Sequence, residues 1–341
     1  MQKEPISRLS EYDDILIMGG GGDYDVWLGL PIFRQLKSLG KKVILANYSF
    51  TDDIDQYPLV RFGNTQTKYI HEIDEKSERT QKNKTYFPEH DMSIHVNQPV
   101  FAIRQITPDI LWQDLEKLVK KFNISIIVCI DAGFDGIMYG NEKKEDLSYY
   151  GTPLEDMCSM VALVKLHNEL KIPTWWVCSS VPTESIPIHY FYRNLADQIR
   201  HGGFIGCTFP VMTEEIKADY LSLLNKSDTL KRSIPNESFY VAINGNCNFH
   251  HFVNPRLTAR IENESENKTA NTNDYLPVYP ITGIYWFFDV SALEKRSPLI
   301  NYLYTYVFDI TWPSTISDVN RMIEFHTMIR WTFRNSVINN E

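Results

Sequence analysis

Ile15-Leu16-Ile17-Met18-Gly19-Gly20-Gly21-Gly22-Asp23-Tyr24-Asp25 decides how the chain is read. A strand-type apolar run stops at four consecutive glycines, and beyond them Trp27, Leu30, Phe33 and Leu36 recur at helical spacing. The segment therefore reads as a strand (14–18), a glycine turn and a helix (26–39) that opens above the strand's carboxyl end. Glycine has no Cβ, so ligand oxygens can come close to the backbone. The helix start adds unpaired N–H groups and a partial positive charge. Gly19, Gly20, Gly21, Gly22, Asp23 and Asp25 are accordingly expected to bind a ligand.

Working outward, Lys41-Lys42 leads into a second strand over 43–48, and the pair forms half of a βαβ unit. Thr107-Pro108 starts a helix with a clean apolar face, and the continuous apolar run 125–130 after it suits a strand buried on both faces. Thr152-Pro153-Leu154-Glu155 repeats the start signal as a capping box, with helix to about Leu170. Further strands are expected over 174–178, 204–208, 239–243 and 284–290, and further helices over 186–200, 213–224, 291–304 and 317–335. This alternation predicts an α/β fold: Rossmann-like, a mostly parallel twisted sheet with helices on both faces and an irregular C-terminal part. Residues 1–341 read as a single α/β domain with two interruptions. Residues 49–106 form a polar insertion or lid, expected to hold short elements and to be mobile, and 254–276 form a polar surface loop.

Composition narrows the function. The chain has 341 residues, 43% hydrophobic and 23% charged, with a formal net charge of −9. No Lys/Arg cluster offsets that charge, which argues against nucleic acid as a partner. There is no signal-peptide pattern and no apolar run near the roughly 18 residues of a membrane span, so a soluble, cytoplasmic protein is expected. The five cysteines lie far apart without a CxxC pair, which excludes a cysteine-based zinc site and leaves buried free thiols. Homo-oligomerisation is left open.

A second cluster of glycines and acids follows the most apolar strand: Ile130-Asp131-Ala132-Gly133-Phe134-Asp135-Gly136, then Gly140-Asn141-Glu142. In open α/β sheets, ligands bind beyond the carboxyl ends of the strands, where strand order reverses. The two glycine–acid turns are therefore expected to face one crevice, with Asp23, Asp25, Asp131, Asp135 and Glu142 converging. Converging carboxylates can ligate a hard cation such as Mg²⁺ or Ca²⁺, act as an acid/base pair, or accept hydrogen bonds from sugar hydroxyls. Asp131, Asp135 and Glu142 are the expected catalytic groups, and Gly133, Thr152 and Ser179 the added ligand-binding ones. The bland alternative is that Asp23 or Asp25 caps the helix and Asp131 merely ends a strand.

Other assignments fail on spacing. A dinucleotide fingerprint needs a third glycine where Tyr24 or Asp25 stands, and an acid where the second strand closes at Ala46-Asn47-Tyr48. No Gly-Lys-Ser/Thr follows for a P-loop, and no Gly-x-Ser-x-Gly elbow marks an α/β-hydrolase. His250-His251, as neighbours on a strand, would point to opposite faces.

Gly19-Gly20-Gly21-Gly22-Asp23, Asp131-x-Gly133-x-Asp135 with Gly140-x-Glu142, Gly151-Thr152-Pro153-x-Glu155-Asp156 and Trp286-Phe287-Phe288-Asp289 follow one another along the chain. In that order they resemble the signatures of an uncharacterised family, known only as a domain of unknown function. The resemblance implies a Rossmann-like fold and no established reaction. Members of that family often have Asp-Gly-Gly where this chain has Asp131-Ala132-Gly133, and Ser where it has Gly136. The residues together point to an enzyme on a small polar metabolite, a nucleoside, nucleotide or sugar derivative, hydrolysed with carboxylate assistance and a divalent cation. The alternative is a non-catalytic metabolite sensor or a protein-interaction module.

Overall fold

The computed structural model describes residues 3–140, 142, 153–181, 183, 187–226, 233–251, 275–309, 320–322, 324–325 and 327. In chain order it forms α1 (Pro5–Leu9), β1 (Asp14–Gly19), α2 (Asp25–Leu28), α3 (Leu30–Ser38), β2 (Lys42–Ser49), β3 (Leu59–Phe62), β4 (Thr65–Ile73), α4 (Pro88–Val96), β5 (Val100–Arg104), α5 (Pro108–Phe122), β6 (Ile126–Asp131), α6 (Pro153–Leu170), β7 (Thr174–Cys178), α7 (Ile188–Arg200), β8 (Phe204–Thr208), α8 (Glu214–Lys226), α9 (Ile234–Ile243), β9 (Asn248–His251), β10 (Tyr275–Val278), β11 (Tyr285–Asp289), α10 (Val290–Arg296) and α11 (Pro298–Asp309).

Nine strands make one open sheet in the order β3-β4-β5-β2-β1-β6-β7-β11-β8. The pairs β5/β2, β2/β1, β1/β6 and β6/β7 are parallel, while β4 and β11 run against both of their neighbours. Among the parallel strands the chain order is third, second, first, fourth, fifth, so winding reverses between β1 and β6. β9 and β10 pair separately and carry His250 and His251 away from the large sheet.

Side-chain alternation along each central strand feeds two cores. Leu16 and Met18 of β1 join α5, α6, α7, α10 and α11 on one face. Ile15 and Ile17 join α1, α2, α3, α8 and α9 on the other. All four of these β1 side chains are fully buried, and each contributes about 1.5–3 kcal/mol relative to exposure. None of the described helices is long and apolar enough to cross a membrane. Cys129, Cys158 and Cys178 are buried free thiols, whereas Cys207 is exposed.

Three expectations change. The helix expected over 26–39 is two helices meeting at Gly29. Pro31 lies in the first turn of α3 and has no N–H to continue the helical ladder of α2. The strand expected over 239–243 is the end of helix α9. Ser233 caps that helix by accepting from the N–H of Asn236, and Pro235 stands in its first turn; a five-residue apolar run does not distinguish the two structures. The polar stretch 49–106 is the third correction. It supplies three strands of the sheet, including the parallel strand β5, and the helix α4. Its polarity misleads because α4 buries Glu89, His90, Asp91 and Ser93. Residues 254–274 of the expected polar loop lie outside the described residues, as does most of 317–335.

Candidate functional site

The two glycine–acid turns sit side by side where winding reverses. β1 ends at Gly19 and β6 at Asp131, and the N–H of Gly20 donates to the carbonyl of Ile130 at 2.8 Å. The crossing is tight because glycine leaves room for it. A Cβ on Gly20 would fall 2.7 Å from Cys129 Sγ, and one on Gly21 would fall 2.6 Å from Asp156 Oδ1. Gly22 has φ of +92°, a backbone that side chains oppose. The hydroxyl of Ser159 donates to the Gly20 carbonyl at 2.6 Å and ties the turn to α6.

Four buried carboxylates gather around this crossing. Asp25, in the first turn of α2, accepts the Gly21 N–H at 2.8 Å. Asp131 Oδ2 accepts from the Gly136 N–H and from the indole N–H of Trp176, each at 3.1 Å. Asp135 begins the short helical turn after β6, and Asp156 lies in the first turn of α6, where the helix dipole favours negative charge. Asp131, Asp135 and Asp156 each bring an oxygen within 4.8 Å of the others, and none is more than 3% exposed. Ligands on opposite sides of an ion with bonds of about 2.1–2.4 Å stand about 4.2–4.8 Å apart, so the triad fits a hard cation bound through oxygen.

Burial makes negative charge costly in this cluster. Burial pushes the Asp131 carboxyl well above the usual range, and the charge of Asp135 adds to the rise; the Trp176 and Gly136 donors oppose it. Burial likewise raises Asp25, with the charge of Asp131 next in importance. Four acids in one dry volume cannot all be ionised together unless a cation joins them.

The family model described as "Protein of unknown function (DUF1152)" matches residues 15–245, from β1 through α9. The chain belongs to that family. No curated protein matches it. Among solved structures, a deacetylase triple mutant from the teicoplanin biosynthetic pathway shares 12% identity at a TM-score of 0.33, covering 81% of this chain and 98% of its own. The zinc-inhibited form of teicoplanin deacetylase Orf2 shares 10% identity at a TM-score of 0.32 over the same fractions. A deacetylase–teicoplanin complex gives the same 10% and 0.32.

The remaining expected residues of this DUF1152 chain divide. Gly133 is buried in the turn after β6. Asp23 has φ of +48°, and, after burial, its charge is the main influence that raises the Tyr86 phenol above its usual pKa. Ser179 is fully buried and its N–H donates to the Asp131 carbonyl at 3.0 Å; its hydroxyl has no hydrogen-bond partner among the described residues. Thr152 lies outside the described residues. Glu142 is not part of the carboxylate triad. Its Oε1 accepts from Arg193 at 2.7 Å and from the Tyr139 N–H at 3.0 Å, so it ties Tyr139 to α7.

Three residues were missed. Asp156 was visible as an acid in the first turn of a helix whose capping box uses its neighbour. Trp176 gave no signal, because a tryptophan inside a strand reads as core. Glu89 is fully buried on α4, accepting from Asn47 at 2.7 Å and from Thr51 at 2.9 Å. Asn47 also donates to the Asp23 carbonyl at 3.1 Å, so Glu89 braces the glycine turn from behind. Burial raises its carboxyl above the usual range, and the Asn47 hydrogen bond opposes the rise.

Proposed function

We propose that this chain is a hydrolase for a small polar metabolite, working through a divalent cation of the Mg²⁺ or Ca²⁺ type held by Asp131, Asp135 and Asp156. The observation that carries the proposal is the grouping of these three buried carboxylates at the winding reversal, with oxygens within 4.8 Å of one another. An all-carboxylate donor set favours hard, oxygen-seeking cations over the soft metals that thiolates select. Such a cation, when bound, polarises a scissile carbonyl or phosphoryl group and lowers the pKa of water. The chain itself supplies the rest. Trp176 and Gly136 fix the Asp131 carboxylate through two hydrogen bonds to one oxygen. Burial raises the Asp25 carboxyl above its usual range beside Asp131, which suits a group that hands a proton to a leaving group.

The test is a hydrolysis screen of small acylated, glycosidic and phosphorylated metabolites at neutral pH, with Mg²⁺, Ca²⁺ or chelator, read by mass spectrometry. Cation-dependent turnover that disappears in Asp131→Asn supports the proposal. Cation binding with no turnover of any member would instead favour a metabolite sensor built on the same crevice.

A further inference from the structure

An open cleft of about 900 Å³ lies at the carboxyl ends of β2 and β5, lined by residues 49–56, 104–106, Tyr69 and Met322. This volume is in the usual range for small-molecule sites. The lining brings the apolar Phe50, Ile54 and Ile106 together with Asp52, Asp53 and Asp55 and a single guanidinium, Arg104. Arg104 is already held by Asp55 at 3.0 Å, and at the rim Lys82 is held by Asp53 at 2.8 Å.

Two successive glycines stand between the cleft and the carboxylate site. A Cβ on Gly21 would meet the Asp156 carboxylate at 2.6 Å, and one on Gly22 would meet the Phe50 ring at 2.6 Å. The same turn therefore touches the proposed cation site on one side and the apolar lining of the cleft on the other.

We propose that this cleft is the specificity pocket of the carboxylate site, and that it takes an unphosphorylated ring bearing hydroxyl or amino groups, with its flat face on Phe50. This rests on the hydrolase reading above for its link to chemistry. Ionised carboxylates only accept hydrogen bonds, so Asp52 and the acceptor positions that Asp53 and Asp55 keep beside their ion pairs call for a ligand with donors. A phosphate group offers no donors when ionised and would face like charge, with the one lining cation already paired. Among nucleoside, nucleotide and sugar derivatives, the nucleotide is thereby disfavoured.

The test uses matched pairs, adenosine with AMP and methyl glucoside with glucose 6-phosphate. Binding to the full chain is followed by saturation-transfer NMR and calorimetry, in chelator and in Mg²⁺. Gln105 is an exposed lining residue, and Gln105→Trp narrows the cleft. At least one unphosphorylated member is expected to bind, to outcompete its phosphorylated partner, and to lose at least about tenfold in affinity in Gln105→Trp. The Mg²⁺-induced thermal shift of that variant should stay at the wild-type value, which also shows that it folds. Asp52→Lys should raise affinity for the phosphorylated member. Tighter binding of a phosphorylated member, binding unchanged by Gln105→Trp, or no binding by any member overturns the proposal. Asp131→Asn separates the two ideas. A cation response that survives in that variant refutes the cation site and leaves the pocket standing, while the binding losses above refute the pocket alone.

Discussion

The main-chain N–H of Gly136 and the indole N–H of Trp176 donate to the same oxygen, Asp131 Oδ2, each at 3.1 Å. The two donors also compete for space, since a Cβ at Gly136 would lie 2.7 Å from that indole nitrogen. Trp176 is fully buried and has nowhere to retreat. Gly136→Ser, the change toward the residue of the resembled family, should therefore cost about 1–3 kcal/mol by overpacking, measured by urea unfolding. Trp176→Phe removes one donor and should weaken the hold on Asp131 without the clash. A Gly136→Ser protein as stable as wild type would mean that Trp176 has room to move.

Replacing a triad carboxylate should abolish the response to cation. At a concentration about 100 times Kd, a bound ion stabilises the native state by about 2.7 kcal/mol, which differential scanning calorimetry reads as a rise in Tm. That rise should vanish in Asp131→Asn, Asp135→Asn and Asp156→Asn. Once a substrate is known, Asp25→Asn should retain the rise but lose about a hundredfold or more in turnover. If the triad variants still respond, the ion binds elsewhere.

The pH dependence has a definite sign. Asp25 and Asp131 have folded-state pKa values above the ordinary aspartate value, so in that interval the native state holds more protons than the unfolded state. Their contribution to stability is complete below an unfolded pKa of about 3.9 and is lost as pH rises through the folded values. In chelator, wild type should therefore lose stability over that window relative to Asp131→Asn, whose amide does not titrate. Added Mg²⁺ should oppose the loss, most strongly at neutral pH. A wild-type-minus-variant difference that is flat with pH would show that the cluster is already neutralised.

The glycines separate by mechanism. Gly21→Ala drives a methyl against Asp156 and should abolish the cation response while costing little stability. Gly22→Ala, at φ of +92°, should cost about 1–2 kcal/mol through backbone strain as well as crowding Phe50. Gly40, at φ of +75° with nothing within 4 Å, supplies the control for strain alone. Equal effects at Gly21 and Gly40 would remove the close approach to Asp156 from the account.

Glu142→Gln should leave the cation response intact and instead lower stability by about 1–3 kcal/mol, because its fully buried carboxylate holds Arg193 and the Tyr139 N–H. Arg193 is 41% exposed, which keeps the loss below that of a fully buried ion pair. Loss of the cation response with stability unchanged would return Glu142 to the site.

The sequence exposed the parts of the fold that obey simple periodicity. β1 and β6 are apolar runs closed by glycine and acid, β7 is an apolar run closed by serines, and α5 and α6 begin with an X-Pro start signal, so their positions were legible. β5 and α4 were not, because α4 is buried on nearly every side and carries Glu89 and Asp91 inward with it. Their burial depends on Asn47 and Thr51 in one case and on Arg79 in the other, all distant in the chain. The same limit applies at the site. Asp25, Asp131 and Asp135 announced themselves beside glycines, while Asp156 became part of the cluster only when α6 was laid across Gly21. Glu142 has the same local signature as Asp135, and its partner Arg193 lies a helix away. Spacing could not separate an acid meant for a ligand from one meant for an arginine.

The four carboxylates come from α2, from the end of β6, from the turn after it and from the start of α6, parts of the chain that meet only after β1 and β6 have paired. No local piece of the polypeptide carries the constellation. An ion captured there would arrive late in folding, after the long-range strand pairing that limits the rate. It would then act as a clasp across the finished sheet, slowing unfolding while leaving the folding rate unchanged.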